Sequence, residues 1–172
     1  MGVIVAASLA FLVQCMANAR GEGDEAYRFI YEHLKDMPLD ELEEQADAFY
    51  FREEYDSTLV CYTMVAEHLK NRNDKRSRTV LARAYNRIGH IFMLKSDYAS
   101  AYESFLKALE VDDPKGSNLA RIYISIIYSY YGDYEQVMDY GKRAYSFCLK
   151  EKDYINLLTV YHNVIDEAFM HD

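Results

Sequence analysis

The sequence predicts an all-α protein in which antiparallel helix hairpins stack on one another as a solenoid. Three observations point to this fold. The 172 residues include only 7 Gly and 2 Pro, too few turn formers for a sandwich or barrel of many short strands. Hydrophobic residues make up 51% of the chain, which excludes a disordered protein. Apolar residues recur at helical spacing, and one arrangement of them returns after intervals of 43 and 36 residues.

The first element is an apolar run over residues 3–17, shorter than the stretch of about 20 residues that spans a membrane. Its length suits a signal-peptide core, and Ala17-Asn18-Ala19 follows as a small-x-small cleavage pattern, although no Lys or Arg precedes the run. Residues 1–20 are therefore interpreted as a signal peptide or N-terminal apolar segment, and export to the periplasm or cell envelope is expected. Lipid attachment at Cys15 is an alternative. A folded apolar helix, in a cytoplasmic protein, is another.

Residues 21–37 are predicted to form a leading helix that stops before Pro38. Proline suits the first turn of the helix that follows, because it has no N–H to leave unpaired. The apolar residues of the leading helix recur at helical spacing: Tyr27, Ile30, Tyr31 and Leu34.

The clearest copy of the recurrent arrangement follows further along the chain. It comprises Tyr85, Ile88-Gly89, Phe92, the polar turn Lys95-Ser96-Asp97, and then Tyr98, Ala101, Phe105, Ala108 and Pro114. Gly89 would let the two helices of a hairpin approach closely, and Ala101 and Ala108 would keep the second helix thin where it packs. Ser96 or Asp97 would cap the second helix.

Weaker copies appear when Tyr55 and Tyr134 are aligned with Tyr98, and in the downstream copy Ser125 takes the place of Gly89. The longer upstream interval leaves room for a polar connector from Lys70 to Arg78. Repeats are predicted over residues 38–172. Their approximate bounds are 39–81, 82–117 and 118–153, with a half repeat over 154–172.

This arrangement resembles the tetratricopeptide repeat, a helix–turn–helix unit of about 34 residues. The resemblance implies a right-handed α-α superhelix that holds another polypeptide. The chain also resembles exported bacterial proteins with these repeats and the N-terminal sensory part of regulators that contain them. In this family the first helix of each hairpin lines a groove. By that rule the partner-binding groove here comprises Arg83, Asn86, Arg87, His90, Ile122, Tyr123, Ile126 and Tyr130.

Two interpretations of these groove residues stay open. Arg83, Asn86 and Arg87 on one helix face would clamp a carboxylate, because guanidinium groups bind carboxylates in a bidentate manner. Alternatively, salt bridges between repeats would occupy them, because residues 22–56 hold 13 acidic and 3 basic side chains while residues 70–88 hold 7 basic and 1 acidic. The apolar positions are likewise either groove or core between repeats.

No catalytic, cofactor or metal site is predicted. The five His form neither His-x3-His nor His-Glu-x2-His, and no Cys-x2-Cys occurs. Cys61 and Cys148 are predicted to be buried thiols rather than a bridge. The net charge of −9 argues against direct contact with nucleic acid.

The expected function is a non-enzymatic scaffold that binds a protein or peptide, either alone or as the sensor part of a longer bacterial regulator. The alternative is a structural subunit of an envelope complex that uses the repeats for permanent assembly. Membrane contact is expected only through the N-terminal segment or a missing C-terminal part. A homodimer through the uncapped C-terminal helix is a further expectation.

Overall fold

The computed structural model describes residues 23–170, and within them the side chains of residues 27–163. The predictions for residues 1–20 lie outside this part. The described residues form eight helices and no strand, which confirms the all-α prediction, and none of the helices is long and apolar enough to cross a membrane. The helices are α1 (Gly23–Leu34), α2 (Leu39–Phe51), α3 (Tyr55–Leu69), α4 (Lys75–Leu94), α5 (Tyr98–Glu110), α6 (Pro114–Tyr131), α7 (Tyr134–Glu151) and α8 (Tyr154–Met170).

The chain divides into two compact units, one up to Asn71 and one from Arg72 onward. In the first unit, α3 packs against both α1 and α2. Its core is apolar around Leu42, Leu59 and Val65, and the buried Tyr62 hydroxyl donates a hydrogen bond to the Asp47 carboxylate. The hydrogen bond lets a polar phenol tip sit in an otherwise apolar interior.

The second unit is a stack of helix hairpins. Each helix from α4 to α8 packs against the next one in the chain, and α6 also packs against α4 and α8. The first helices of successive hairpins therefore lie side by side, which is how a helical repeat buries a continuous core. This packing confirms the predicted fold class within this unit.

The turns before α3, α5, α7 and α8 share one construction. A residue with positive φ is followed by an acidic residue and then by the Tyr that begins the next helix. The positive φ angles are 61° at Glu53, 60° at Ser96, 70° at Gly132 and 58° at Lys152. The recurrent tyrosine position predicted at Tyr55, Tyr98 and Tyr134 is therefore the first residue of a helix, and Tyr154 is a fourth example that the alignment did not include.

The acidic residue of three of these turns caps the helix that follows. The side chain of Asp97 accepts a hydrogen bond from the Ser100 N–H at 3.1 Å. Asp133 and Asp153 accept in the same way, each three residues before the donor. Of the two predicted caps for α5, Asp97 is thus the one used, because its carboxylate reaches a backbone N–H that no residue of the helix can satisfy.

The polar connector predicted from Lys70 to Arg78 is shorter than expected. α3 ends at Leu69 and α4 already begins at Lys75. The cause is a cap at Asp74, whose carboxylate accepts hydrogen bonds from the N–H of Ser77 at 3.0 Å and from its hydroxyl at 2.5 Å. Because this cap starts α4 early, the helix is 20 residues long.

Gly89 lies where α4 meets α5. A Cβ added to it would lie 2.6 Å from Cε1 of Phe105, a fully buried ring. Ala101 and Ala108 on α5 are also fully buried. The predicted roles of these small residues are confirmed, since any larger side chain at position 89 would collide with the ring.

Cys61 and Cys148 are both buried free thiols, as predicted. Burial raises the pKa of Cys61 to about 12. Burial also raises the pKa of Cys148, although a hydrogen bond from Asn118 to its sulfur acts in the opposite direction. Both thiols are therefore protonated and unreactive at neutral pH.

Candidate functional site

The second unit contains a cavity of about 340 Å³. α4 forms one wall, the beginning and middle of α6 form the floor, and residues of α7 and α8 close the far side. The lining residues are Thr79, Arg83, Asn86, Arg87, His90, Asp113, Lys115, Gly116, Leu119, Tyr123, Phe147, Asp153 and Asn156. Five of the eight residues predicted for the groove therefore meet in one place: Arg83, Asn86, Arg87, His90 and Tyr123.

Asn86 is the most buried polar residue of this wall, with only 2% of its surface exposed. Its amide nitrogen donates to the backbone oxygens of Ala82 at 2.9 Å and Gly116 at 3.0 Å. Two carbonyl acceptors require the NH₂ group, so the orientation of the amide is settled by its partners. The amide oxygen, Oδ1, has no hydrogen-bond partner in the part of the chain that the structure describes.

Gly116 explains how α6 comes close enough to hold Asn86. A Cβ at this position would lie 2.5 Å from the Cβ of Ala82 on α4. The absence of a side chain thus lets the first turn of α6 approach α4 until the Gly116 carbonyl reaches Asn86. A larger residue would push the two helices apart and remove one of the two bonds that orient the amide.

Two carboxylates at the edge of the cavity are engaged in holding helix ends. Asp113 accepts from the Gly116 N–H at 2.8 Å and from the Thr79 hydroxyl at 2.8 Å, which ties the start of α6 to α4. Asp153 accepts from the backbone N–H and the side-chain amide of Asn156, at 3.2 and 2.7 Å. These hydrogen bonds leave the carboxylates fewer lone pairs to offer a ligand.

His90 lies at the outer end of a stack of rings. Its ring centroid is 5.3 Å from that of Tyr123, which in turn stacks on Phe105 at 4.9 Å. Burial, and secondly the positive charge of Arg87, lower the pKa of His90 below its ordinary value. The imidazole is therefore neutral at pH 7 and carries one N–H donor and one acceptor.

The cavity wall carries three cationic side chains and two carboxylates, a small excess of positive charge. Arg83 and Arg87 project from α4 and Lys115 from the first turn of α6, while the two acidic residues act as helix caps. The Asn86 oxygen, which has no hydrogen-bond partner among the described residues, belongs to the same cavity lining. The arrangement suits a ligand that brings both negative charge and an N–H donor.

The other three residues predicted for the groove lie elsewhere. Ile122 is 1% exposed and packs in the core with Ala144 and Cys148, and Ile126 packs against the same core. This corrects their assignment to an accessible groove, because those positions of α6 face α7 and α8. Tyr130 is exposed outside the cavity, with its ring 5.1 Å from that of Tyr98.

Several lining residues carry no signal that would place them here from sequence. Thr79, Phe147 and Asn156 belong to three different helices, and only packing brings them to one cavity. Asp113 was detectable as a candidate cap, because Pro114 follows it and proline favours the first turn of a helix. Its bond to Thr79 depends on the contact between α4 and α6.

Among the described residues, no group of His, Cys, Asp and Glu is arranged to hold a metal ion. In comparisons with known proteins, no protein-family model matches the chain, and no curated protein is significantly similar to it.

Proposed function

We propose that this protein is a non-enzymatic scaffold of the tetratricopeptide type, whose second unit binds an acidic segment of another polypeptide. The observation that supports this most is the buried Asn86 oxygen, which has no hydrogen-bond partner among the described residues and belongs to a cavity lining that also includes Arg83 and Arg87. A buried acceptor without a partner costs about 1–3 kcal/mol. A ligand N–H would recover that free energy on binding.

An acidic peptide carries both of the groups that this wall would recognise. Its backbone supplies N–H donors for Asn86, and an Asp or Glu side chain supplies a carboxylate for the two guanidinium groups. Leu119, Tyr123 and Phe147 add apolar surface to the same cavity. Such surface would contact the methylene groups of the peptide and exclude water from the charged contacts.

The size of the cavity favours part of a polypeptide over a large cofactor. Its volume, about 340 Å³, is at the lower end of the range for small-molecule sites. It would hold one or two side chains, with the rest of the peptide outside it.

Export is a second part of the proposal. It is supported by the apolar run over residues 3–17 and the Ala17-Asn18-Ala19 pattern. Residues 1–20 fused to a reporter that is active only outside the cytoplasm would test it: we expect reporter activity, and an inactive but well-expressed fusion would contradict export. A role as the sensor part of a longer bacterial regulator is proposed on the repeat arrangement.

Binding is tested with two labelled probes, an acetylated peptide of alternating Asp and Ala and its counterpart with Lys in place of Asp. We expect fluorescence anisotropy to detect the acidic peptide and not the basic one. Added salt should weaken binding, because part of the attraction is between exposed charges. Arg87→Ala should raise Kd about tenfold, since it removes a hydrogen-bonded charge.

The matched control is Arg143→Ala on α7, an exposed arginine whose guanidinium pairs with Asp139 at 3.0 Å, outside the cavity. It should leave Kd unchanged. Asn86→Leu provides a second check: it should weaken binding strongly because it removes the acceptor offered to the ligand. Circular dichroism would show that the helices persist without the two hydrogen bonds that the Asn86 amide nitrogen donates. Equal Kd values for Arg87→Ala and Arg143→Ala would contradict the proposed site.

A further inference from the structure

α8 repeats the residue positions of α6 after 36 residues, so that Leu158 corresponds to Ile122 and Tyr161 to Ser125. In α6 these positions are buried, with 1% of Ile122 exposed. In α8 they are not: 59% of the Leu158 surface and about half of Tyr161 are accessible. The same register position thus has opposite environments in the two helices.

The burial of Ile122 shows what packs against this face in the first helix of a hairpin. Ile122 packs with Ala144 and Cys148 of α7, the second helix of its own hairpin, and with Val160 of α8, the helix that follows that hairpin. It is the face that receives another helical element. On α8 no described residue covers the corresponding face, and Tyr154 and Ile155 extend it with 68% and 83% exposure.

The size of this face is sufficient for an interface. Four side chains of this size and exposure offer roughly 500 Å² on each copy, so two copies would bury about 1,000 Å² from these residues alone. A specific protein–protein interface needs about this much. Single exposed apolar residues need no explanation, but a contiguous patch of this size does.

The charge distribution favours a second copy of this chain as the occupant. The whole chain carries −9, so most surfaces of two copies repel each other. From Tyr154 to Ile165, however, α8 has no Asp, Glu, Lys or Arg. A two-fold interface places the same patch against itself, which a patch without charges tolerates.

We propose that two copies of this chain associate through the exposed face of α8, defined by Tyr154, Ile155, Leu158 and Tyr161. α8 of one protomer packs against α8 of its partner, with Leu158 near the two-fold axis. The interface takes the place that α7 and α8 occupy on α6. It uses a different surface from the peptide cavity and does not depend on it.

Sedimentation velocity of the full chain over a range of concentrations tests this. We expect reversible formation of a dimer. Leu158→Glu should raise the dimer Kd at least tenfold, because it places a charge at the centre of an apolar interface on both copies. Circular dichroism would show that the variant keeps its helices.

The matched control is Phe51→Glu. Phe51 is also a large apolar residue, 75% exposed, but it lies on α2. The same change there should leave the dimer Kd unaltered. Comparing the two variants separates loss of this interface from a general effect of removing exposed apolar surface.

Cross-linking gives a second measurement that does not depend on a disruptive variant. In a Cys15→Ser background, Leu158→Cys should form a disulfide-linked dimer under mild oxidation, whereas Phe51→Cys should not; Cys61 and Cys148 are buried. A monomeric full chain at every concentration would overturn the proposal. So would a dimer that survives Leu158→Glu unchanged, since another segment, such as the apolar run 3–17, would then hold it.

Discussion

The hairpins α4–α5 and α6–α7 have the same register, but they fill the space between their helices differently. In α4–α5, Gly89 receives the buried ring of Phe105. At the corresponding positions 36 residues later stand Ser125 and Gly141, both without a ring. In α6–α7 the aromatic contact is instead between Tyr128 and Tyr140, stacked at 5.9 Å, where α4–α5 has Phe92 and Ser104.

The aromatic contact thus lies three residues, about one turn, later on the first helix and one residue earlier on the second. The volume between two facing helices must be filled by side chains. One large side chain can fill it from either of two neighbouring turns, provided that small residues occupy the turn that lacks it. This is why the copy at 118–153 matches the repeat pattern weakly and still folds as a hairpin.

A second difference between the two hairpins concerns the first helix. α4 presents Arg83, Asn86, Arg87 and His90 to the cavity. The register-equivalent residues of α6 are Leu119, Ile122, Tyr123 and Ile126. The polar set lines the cavity, whereas Ile122 and Ile126 of the apolar set pack in the core, so the same register positions have different surroundings in consecutive hairpins.

The largest expected effect follows from removing the ring of the α4–α5 hairpin. Phe105→Ala should lower the free energy of unfolding by about 3–5 kcal/mol, because it leaves a cavity in a fully buried site. Tyr140→Ala, in the half-buried stack of the other hairpin, should cost less. Urea denaturation measures both, and equal losses would contradict the comparison.

Changing the small residue of each hairpin to alanine should also distinguish the two hairpins. Gly89→Ala should cost about 1–3 kcal/mol, because the new Cβ would overlap the Phe105 ring. Ser125→Ala only removes a hydrogen bond from its hydroxyl to the Ile122 oxygen at 2.8 Å, worth about 1 kcal/mol or less. Thermal unfolding of the two variants would show whether the glycine is needed in one hairpin alone.

The turns of the two hairpins provide a smaller and reciprocal test. Gly132, at φ 70°, has no atom within 4 Å of an added Cβ, so Gly132→Ala should cost about 1 kcal/mol through backbone strain alone. Ser96 has a φ of 60° at the corresponding turn. Ser96→Gly should therefore be neutral or slightly stabilising, since relief of strain offsets the greater entropy of unfolded glycine. A loss of stability in Ser96→Gly would contradict this.

The smallest expected effect is a dependence on pH that only α4 carries. The pKa of folded His90 lies below its ordinary value of 6.5, so below pH 6.5 the unfolded chain binds a proton before the folded one does. Stability should therefore fall slightly as pH drops from 6.5 towards the lowered pKa, and be unaffected above 6.5. His90→Ile, which copies Ile126 of α6, should remove this dependence in denaturation curves recorded from pH 7.5 to 5.

Much of the fold could be predicted because it depends on local chemistry. Gly89 and Tyr98 mark a helix contact and a helix start, and Asp97 has the short carboxylate that caps a helix. The connector before α4 was overestimated because the Asp74 cap, equally local in origin, was not recognised. Four of the five groove residues that meet in the cavity do so because residues at i, i+3, i+4 and i+7 share one face of α4, whereas Tyr123 is brought there by the packing of α6.

The sequence by itself determined the helices, their hairpin register and the polar face of α4, since these follow from spacing along one chain segment. Only the tertiary structure decided that Ile122 is core while Leu158 is surface, and that the Asn86 oxygen has no hydrogen-bond partner among the described residues. Those outcomes depend on how closely Gly116 lets α6 approach α4 and on which elements cover each first helix. The physical reason is that burial is a property of neighbours, which residue spacing does not encode.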